Sequence, residues 1–183
     1  MTSPADWAKG PPQADRLPVP ATLAQSTMQS FTCSCGNALF FTNTRCLKCG
    51  SEVGYDPGQG TLIPLRAGSG LKRCDNGLRH SVCNWLLPAA SSATLCIACR
   101  MNRTIPDLRS VRNRELWSRM EVAKRRLLYT LLKLGISLPS KAENPQDGLA
   151  FDIVSTLTNP NVTTGHLNGV ITVNLEEADD TYR

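Results

Sequence analysis

Residues 31–50 read FTCSCGNALFFTNTRCLKCG, with Cys33-x-Cys35 separated by ten residues from Cys46-x-x-Cys49. A Cys-x-x-Cys turn closed by glycine, as in CLKCG, points backbone N–H groups at the thiolates while the sulfurs converge on one ion. Two such turns joined by a hairpin complete a tetrahedral shell of four sulfurs. Phe40 and Phe41 fall midway between the pairs, where a hairpin strand is expected.

A second group follows: Cys74, Cys83 and the pair Cys96-x-x-Cys99. The simplest partition gives two zinc sites of four cysteines each. Cys33, Cys35, Cys46 and Cys49 form the first. Cys74, Cys83, Cys96 and Cys99 form the second, and all eight cysteines are then used. His80 lies between Cys74 and Cys83 and is the alternative ligand, since sites of three cysteines and one histidine also occur. The competing chemistries fit less well. A redox Cys-x-x-Cys belongs at a helix start in a βαβ setting, and none is read around these pairs. Buried free cysteines do not come in close pairs. An iron–sulfur cluster also takes four thiolates and is the remaining metal option. Four thiolates fill a zinc shell and leave no position for water, so both sites are expected to be structural, with no catalytic residue among them.

The compartment agrees. The N-terminus lacks a basic start followed by an apolar run, and no apolar stretch reaches the ~20 residues of a spanning helix. A reducing, cytoplasmic setting without membrane contact follows, where stable disulfides are rare. The formal charge of +5 over 183 residues invites a nucleic-acid partner. A zinc ion with four thiolates carries −2, however, so two such sites lower the chain to about +1.

Residues 1–30 are punctuated by Pro4, Pro11, Pro12, Pro18 and Pro20 and are expected to be a flexible tail. Residues 31–103 are the cysteine-bearing region. From Thr104 the texture changes. NRELWSRMEVAKRRLLYTLLKLG predicts a long amphipathic helix, capped by Asn113 and ended at Gly135. Its apolar stripe runs through Leu116, Met120, Ala123, Leu127 and Leu134, widened by Trp117, Leu128, Leu131 and Leu132. Glu115–Arg119 and Glu121–Arg125 are expected as i,i+4 ion pairs. DGLAFDIVSTL predicts a second, shorter helix. HLNG followed by VITVNL predicts a β-hairpin turning at Asn168-Gly169. The fold class is therefore α+β: two small zinc-ribbon-like β units, then a helical segment and a β-hairpin.

Taken together, these segments resemble a family of bacterial zinc-binding metallopeptidases that begin with a zinc-ribbon region. The likeness spans about residues 31–180. It rests on the cysteine run, CNWLLPA, CIACRMNRTIPDL, WSRMEVAKRRLLYTLLKLG, GLAFDI and TGHLNGVITVNLEEADD. The resemblance implies a catalytic His-Glu-x-x-His helix beyond the EADD run, with its histidines on a third, catalytic zinc and its glutamate as general base. This sequence holds only His80 and His166, far apart. Residues 104–183 are thus expected to be the incomplete N-terminal part of a zincin-like domain, inactive by itself. In such peptidases a strand beside the active-site helix pairs with extended peptide or protein substrate; VITVNL is the candidate, against an ordinary structural hairpin. His166 is expected to be a turn residue.

The alternative function is a zinc-ribbon module that binds nucleic acid or a protein partner. It rests on Arg100, Arg103, Arg109, Arg112, Arg114 and Arg119 at the module boundary. An unpaired apolar surface left by the missing part would favour self-association. Metal analysis of the purified chain is expected to find zinc rather than iron, with no visible absorption band. Chelation is expected to unfold residues 31–99 first, read by proteolysis mapping.

Overall fold

The computed structural model describes residues 30–182, so the tail expected over 1–30 lies, but for Ser30, outside the described residues. Three antiparallel ladders of two strands carry the cysteines. β1 (Phe31–Thr32) pairs with β2 (Ala38–Leu39), β3 (Val53–Asp56) with β4 (Thr61–Pro64), and β5 (Leu71–Arg73) with β6 (Leu86–Pro88). Strands this short bury little apolar surface alone and need an outside tie. Phe40 and Phe41 are not in a strand. β2 ends at Leu39, and the Phe40 N–H donates to Asn43 Oδ1 in a turn. Phe40 is exposed, whereas Phe41 joins Phe31, Tyr55 and Tyr129 with ring centroids 5.3–6.4 Å apart. Tilted and edge-on contacts of this kind add to the area they bury.

Helix α1 (Asp75–His80) lies between β5 and β6, and a 3-10 turn (Cys99–Met101) runs straight into β7 (Asn102–Thr104). β7 belongs to a different sheet. With β8 (Ala150–Val154), β9 (Gly165–Leu167) and β10 (Val170–Asn174) it forms four strands in the order β7-β8-β10-β9. β7, β8 and β10 are parallel, and β9 is antiparallel at the edge. Helix α2 (Val111–Lys133) makes the crossover from β7 to β8, giving a βαβ unit of the kind parallel neighbours require.

The small β units, the long helix and the hairpin match the α+β expectation. The second helix is a correction: AFDIV is β8, paired on both sides. Phe151 and Ile153 face one side of the sheet while Ala150 and Asp152 face the other, and all four are buried. A strand covered on both faces loses its period of two and reads as an apolar run.

α2 is capped at Ser110 rather than at Asn113. Ser110 Oγ accepts from the Asn113 N–H at 3.3 Å, and Asn113 Nδ2 donates to the Asp107 carbonyl. Its end is as read. Gly135 (φ 73°) donates to the Leu132 carbonyl and Ile136 to that of Leu131, a Schellman closure. The turn at Asn168 (φ 48°) and Gly169 (φ 77°) is the tight hairpin expected, with Leu167 opposite Val170. Among the described residues no helix is long and apolar enough to cross a membrane.

The β7–β8 seam carries a charged clasp. Arg103 donates twice to Asp152, and Thr104 Oγ1 donates to Asp152 Oδ1 at 2.8 Å. The Arg103 guanidinium holds the Asp152 carboxyl below its ordinary value of 3.8. A lowered folded value means the stabilisation is present above the unfolded value and is lost as pH falls through the folded one. Asp152→Asn is expected to cost about 1–3 kcal/mol at pH 7. The gap in urea midpoint between variant and wild type is expected to close below about pH 4.

Candidate metal centres

The first group is built on two turns. The Cys33 carbonyl accepts from the Gly36 N–H at 2.8 Å, and the Cys46 carbonyl accepts from the Gly50 N–H at 2.9 Å. These turns bring Cys33 Sγ to 3.7 Å from Cys49 Sγ, and Cys35 Sγ to 3.6 Å from Cys46 Sγ. The second group straddles α1. Cys74 precedes the helix and Cys83 follows it. Gly77 makes this possible, because a Cβ there would lie 2.2 Å from the Cys83 carbonyl oxygen. Cys83 Sγ is 3.6 Å from Cys96 Sγ. Backbone N–H groups of Cys96 and Trp85 point at the sulfurs of Cys74 and Cys83, each at 3.4 Å.

In each group of four, all the sulfurs lie within 4.8 Å of one another. A tetrahedral zinc with Zn–S near 2.3 Å places its sulfurs about 3.8 Å apart, so the donor set fits the ion. His80 is in neither group. Its ring packs edge-on to Trp117, 5.8 Å between centroids. His166 is exposed on β9, opposite Ile171. No metal-type group among the described residues contains a histidine.

The two centres differ in their surroundings. At the first, Cys49 is exposed and Cys35 is half-buried. At the second all four cysteines are buried, at 5% exposure or less. Hydrogen bonding from the Ser51 hydroxyl and backbone lowers the Cys49 thiol to about 6. The Asn37 N–H favours the Cys35 thiolate, yet partial burial and the neighbouring thiols push it up to about 11. At the second centre, hydrogen bonds from the Cys83, Cys96 and Cys99 thiols drive Cys74 far down, and the same contacts drive Cys99 far up. Four sulfurs so close cannot all ionise without a cation among them.

Sequence reasoning missed the helix residues beside the second centre. Glu121, fully buried, sits with Oε2 3.9 Å from Cys99 Sγ. Its Oε1 accepts from Asn102 Nδ2 (2.8 Å), Lys124 Nζ (2.8 Å) and Trp117 Nε1 (3.1 Å). Buried Arg125 donates to the Val82 carbonyl, next to Cys83. The expected i,i+4 pairs are not made. Glu121 pairs with Lys124 at i,i+3, and Arg119 turns to Asp180 and the Ala178 carbonyl. The polar residues face the centre because the apolar ones do not. Met120, Ala123 and Leu127 line an open groove of about 240 Å³ with Phe151, Ile153, Ile171 and Val173. Alternation between polar and apolar residues gave no hint of which side would be covered.

VITVNL is not an available edge. β10 is hydrogen-bonded to β8 on one side and β9 on the other. The edge strands of this sheet are β7 and β9, and β9, residues Gly165–Leu167, is exposed throughout. The six boundary arginines are engaged locally. Arg100 pairs with Glu143, Arg103 with Asp152, Arg109 with Asp107, and Arg112 with Asp179. Arg114 donates to the Leu108 carbonyl, and Arg119 pairs with Asp180.

Residues 30–110 match a zinc-ribbon domain family, and residues 113–183 match the family described as "Putative zinc-binding metallo-peptidase". Uncharacterized proteins of Mycobacterium bovis and of two Mycobacterium tuberculosis strains are each 38% identical over 157 residues. Those matches cover 85% of this chain and 46% of each relative, so the chain spans about half the length of the curated relatives it matches. No solved structure matches.

In the zinc-loaded chain, exposed Cys49 is expected to be alkylated by iodoacetamide before the four buried cysteines of the second group, mapped by peptide mass spectrometry.

Proposed function

Because this chain joins a zinc-ribbon match to a stretch matching a zinc-binding metallo-peptidase family, we propose that it is the structural, zinc-holding portion of a peptidase whose catalytic groups lie elsewhere in the full-length protein. Two zinc ions are held, one by Cys33, Cys35, Cys46 and Cys49, the other by Cys74, Cys83, Cys96 and Cys99. The observation that carries this reading is the donor set: two closed groups of four sulfurs, with no histidine in either. Bound there, zinc locks short strands that bury too little to hold themselves. A full shell has no position for a water nucleophile, so these residues fold the protein and do not cut peptide bonds.

The chain divides into residues 31–103, which hold metal, and 104–183, the peptidase-type part, with β7 shared between them. A catalytic zinc and its His-Glu-x-x-His helix belong to the longer protein. The uncovered groove beside α2 is apolar and suits an amphipathic helix from that remainder. The β9 edge offers unpaired backbone groups to an extended peptide substrate. The engaged boundary arginines favour this reading over a nucleic-acid partner, and a reducing cytoplasm suits free thiolates.

Purified zinc-loaded chain is expected to carry two zinc ions by inductively coupled plasma analysis. It is expected to show no hydrolysis of fluorogenic peptides above a 1,10-phenanthroline blank. Chelator-sensitive cleavage by the pure chain would refute the proposal. So would a Cys99→Ser variant that still holds both ions.

A further inference from the structure

We propose that the second cysteine centre is the joint between the ribbon region and α2, with Glu121 and Arg125 as its positioning residues, so that metal at that centre and the seating of the helix are coupled. The inference rests on the reading that this centre holds a metal ion.

Three observations carry it. First, contacts from one face of α2 reach both flanks of the centre. Glu121 lies beside the sulfur of Cys99 but acts through Asn102, since a metal-bound thiolate has no proton to share with a carboxylate, and Arg125 holds the carbonyl of Val82, one residue before Cys83. Second, the chain leaving Cys99 becomes β7 within three residues, and the Asn102 side chain at its start is held by both Glu121 and Lys124. Displacing the sulfur therefore displaces the start of the four-stranded sheet. Third, without an ion buried Arg125 has no counter-charge among the described residues. Lys124 is matched by Glu121, but buried Arg125 has no carboxylate partner among the described residues, and its Nε has no acceptor. A buried cation left this way is costly. A zinc ion with four thiolates carries a formal −2 and supplies the missing negative charge beside it. Four neutral thiols supply none.

The first centre has no comparable arrangement. Cys49 faces solvent, and none of its four sulfurs has a hydrogen bond to α2 among the described residues. The aromatic cluster around Tyr129 is what joins that part of the ribbon to the helix. Groups around a metal's ligands typically change its retention by about 10–100-fold.

The test uses the full zinc-loaded chain. Zinc release to 4-(2-pyridylazo)resorcinol is followed by absorbance, and amide hydrogen exchange is followed by mass spectrometry on peptides covering 114–128. Release is expected in two phases, the fast one from the exposed first centre. Exchange in α2 is expected to rise with the slow phase and not with the fast one. Asn102→Ala, which cuts the tie from Glu121 and Lys124 to the start of β7, and Arg125→Met are each expected to speed the slow phase about tenfold and leave the fast phase unchanged. A slow phase within about twofold of wild type in both variants overturns the inference, as does α2 exchange indifferent to loss of the second ion. If a variant does not fold, the wild-type exchange comparison decides alone. Chain that holds no zinc before chelator is added would instead overturn the metal reading itself; loaded chain without coupling leaves that reading standing.

Discussion

Four sulfurs confined within 4.8 Å cannot all carry charge unless a cation sits among them, and most of this chain's architecture follows from that constraint at two places. The ladders that bring the sulfurs together are two to four residues long. Such strands do not hold alone. Their geometry is fixed by turns that place Cys, Gly and backbone N–H groups around a point. What makes the point worth forming is the ion, which converts thiol–thiol crowding into thiolate–metal bonding. Closure of the shell also decides the chemistry. A zinc with four sulfurs organises chain, and zinc that activates water has to keep a position open.

The same constraint explains the odd layering of α2. On a helix packed conventionally, the charged side faces water and the apolar stripe faces the core. Here Glu121, Lys124 and Arg125 are buried, while Leu127 is 46% exposed. The buried side is polar because it meets the second cysteine centre, whose charge asks for hydrogen bonds and counter-charge. The apolar side meets Phe151, Ile153, Ile171 and Val173 across a groove that nothing among the described residues fills. Leu116, Trp117, Ile153, Leu175 and Val82 form a smaller apolar cluster at the other end of the helix. The helix is therefore held at its ends by apolar contact and in its middle by the polar network beside Cys99.

The sulfurs come together in the same two sets of four that the cysteine spacing suggests, because ligand spacing is local. The length and end of α2 and the turn at Asn168-Gly169 were legible for the same reason: each is set by neighbours in sequence. Misreadings arose where a partner far along the chain decided the outcome. Ala150–Val154 is a strand because β7 and β10 flank it, which its apolar residues alone did not declare. Arg119 and Arg125 left their helical neighbours for Asp180 and Val82, 61 and 43 residues away. VITVNL is the structural hairpin strand, paired on both sides, and the substrate-pairing alternative comes only from the family resemblance.

Charge and edges together bear on the partner proposed for this surface. The boundary arginines resemble a polyanion site only while they are taken as free. Arg112 and Arg119 instead strap the acidic run at Asp179 and Asp180 onto α2, so that run is part of the fold. Glu176, buried, accepts from Ser155 Oγ and the Thr156 N–H and closes the chain after β8 against the turn after β10. Basic and acidic residues thus neutralise each other across residues 104–183. What the sheet leaves unsatisfied there is backbone and apolar area: the outer side of β9 and the groove beside α2. Unpaired backbone N–H and C=O groups select an extended chain, and an apolar groove bordered by a helix selects another helix. Neither feature selects phosphate.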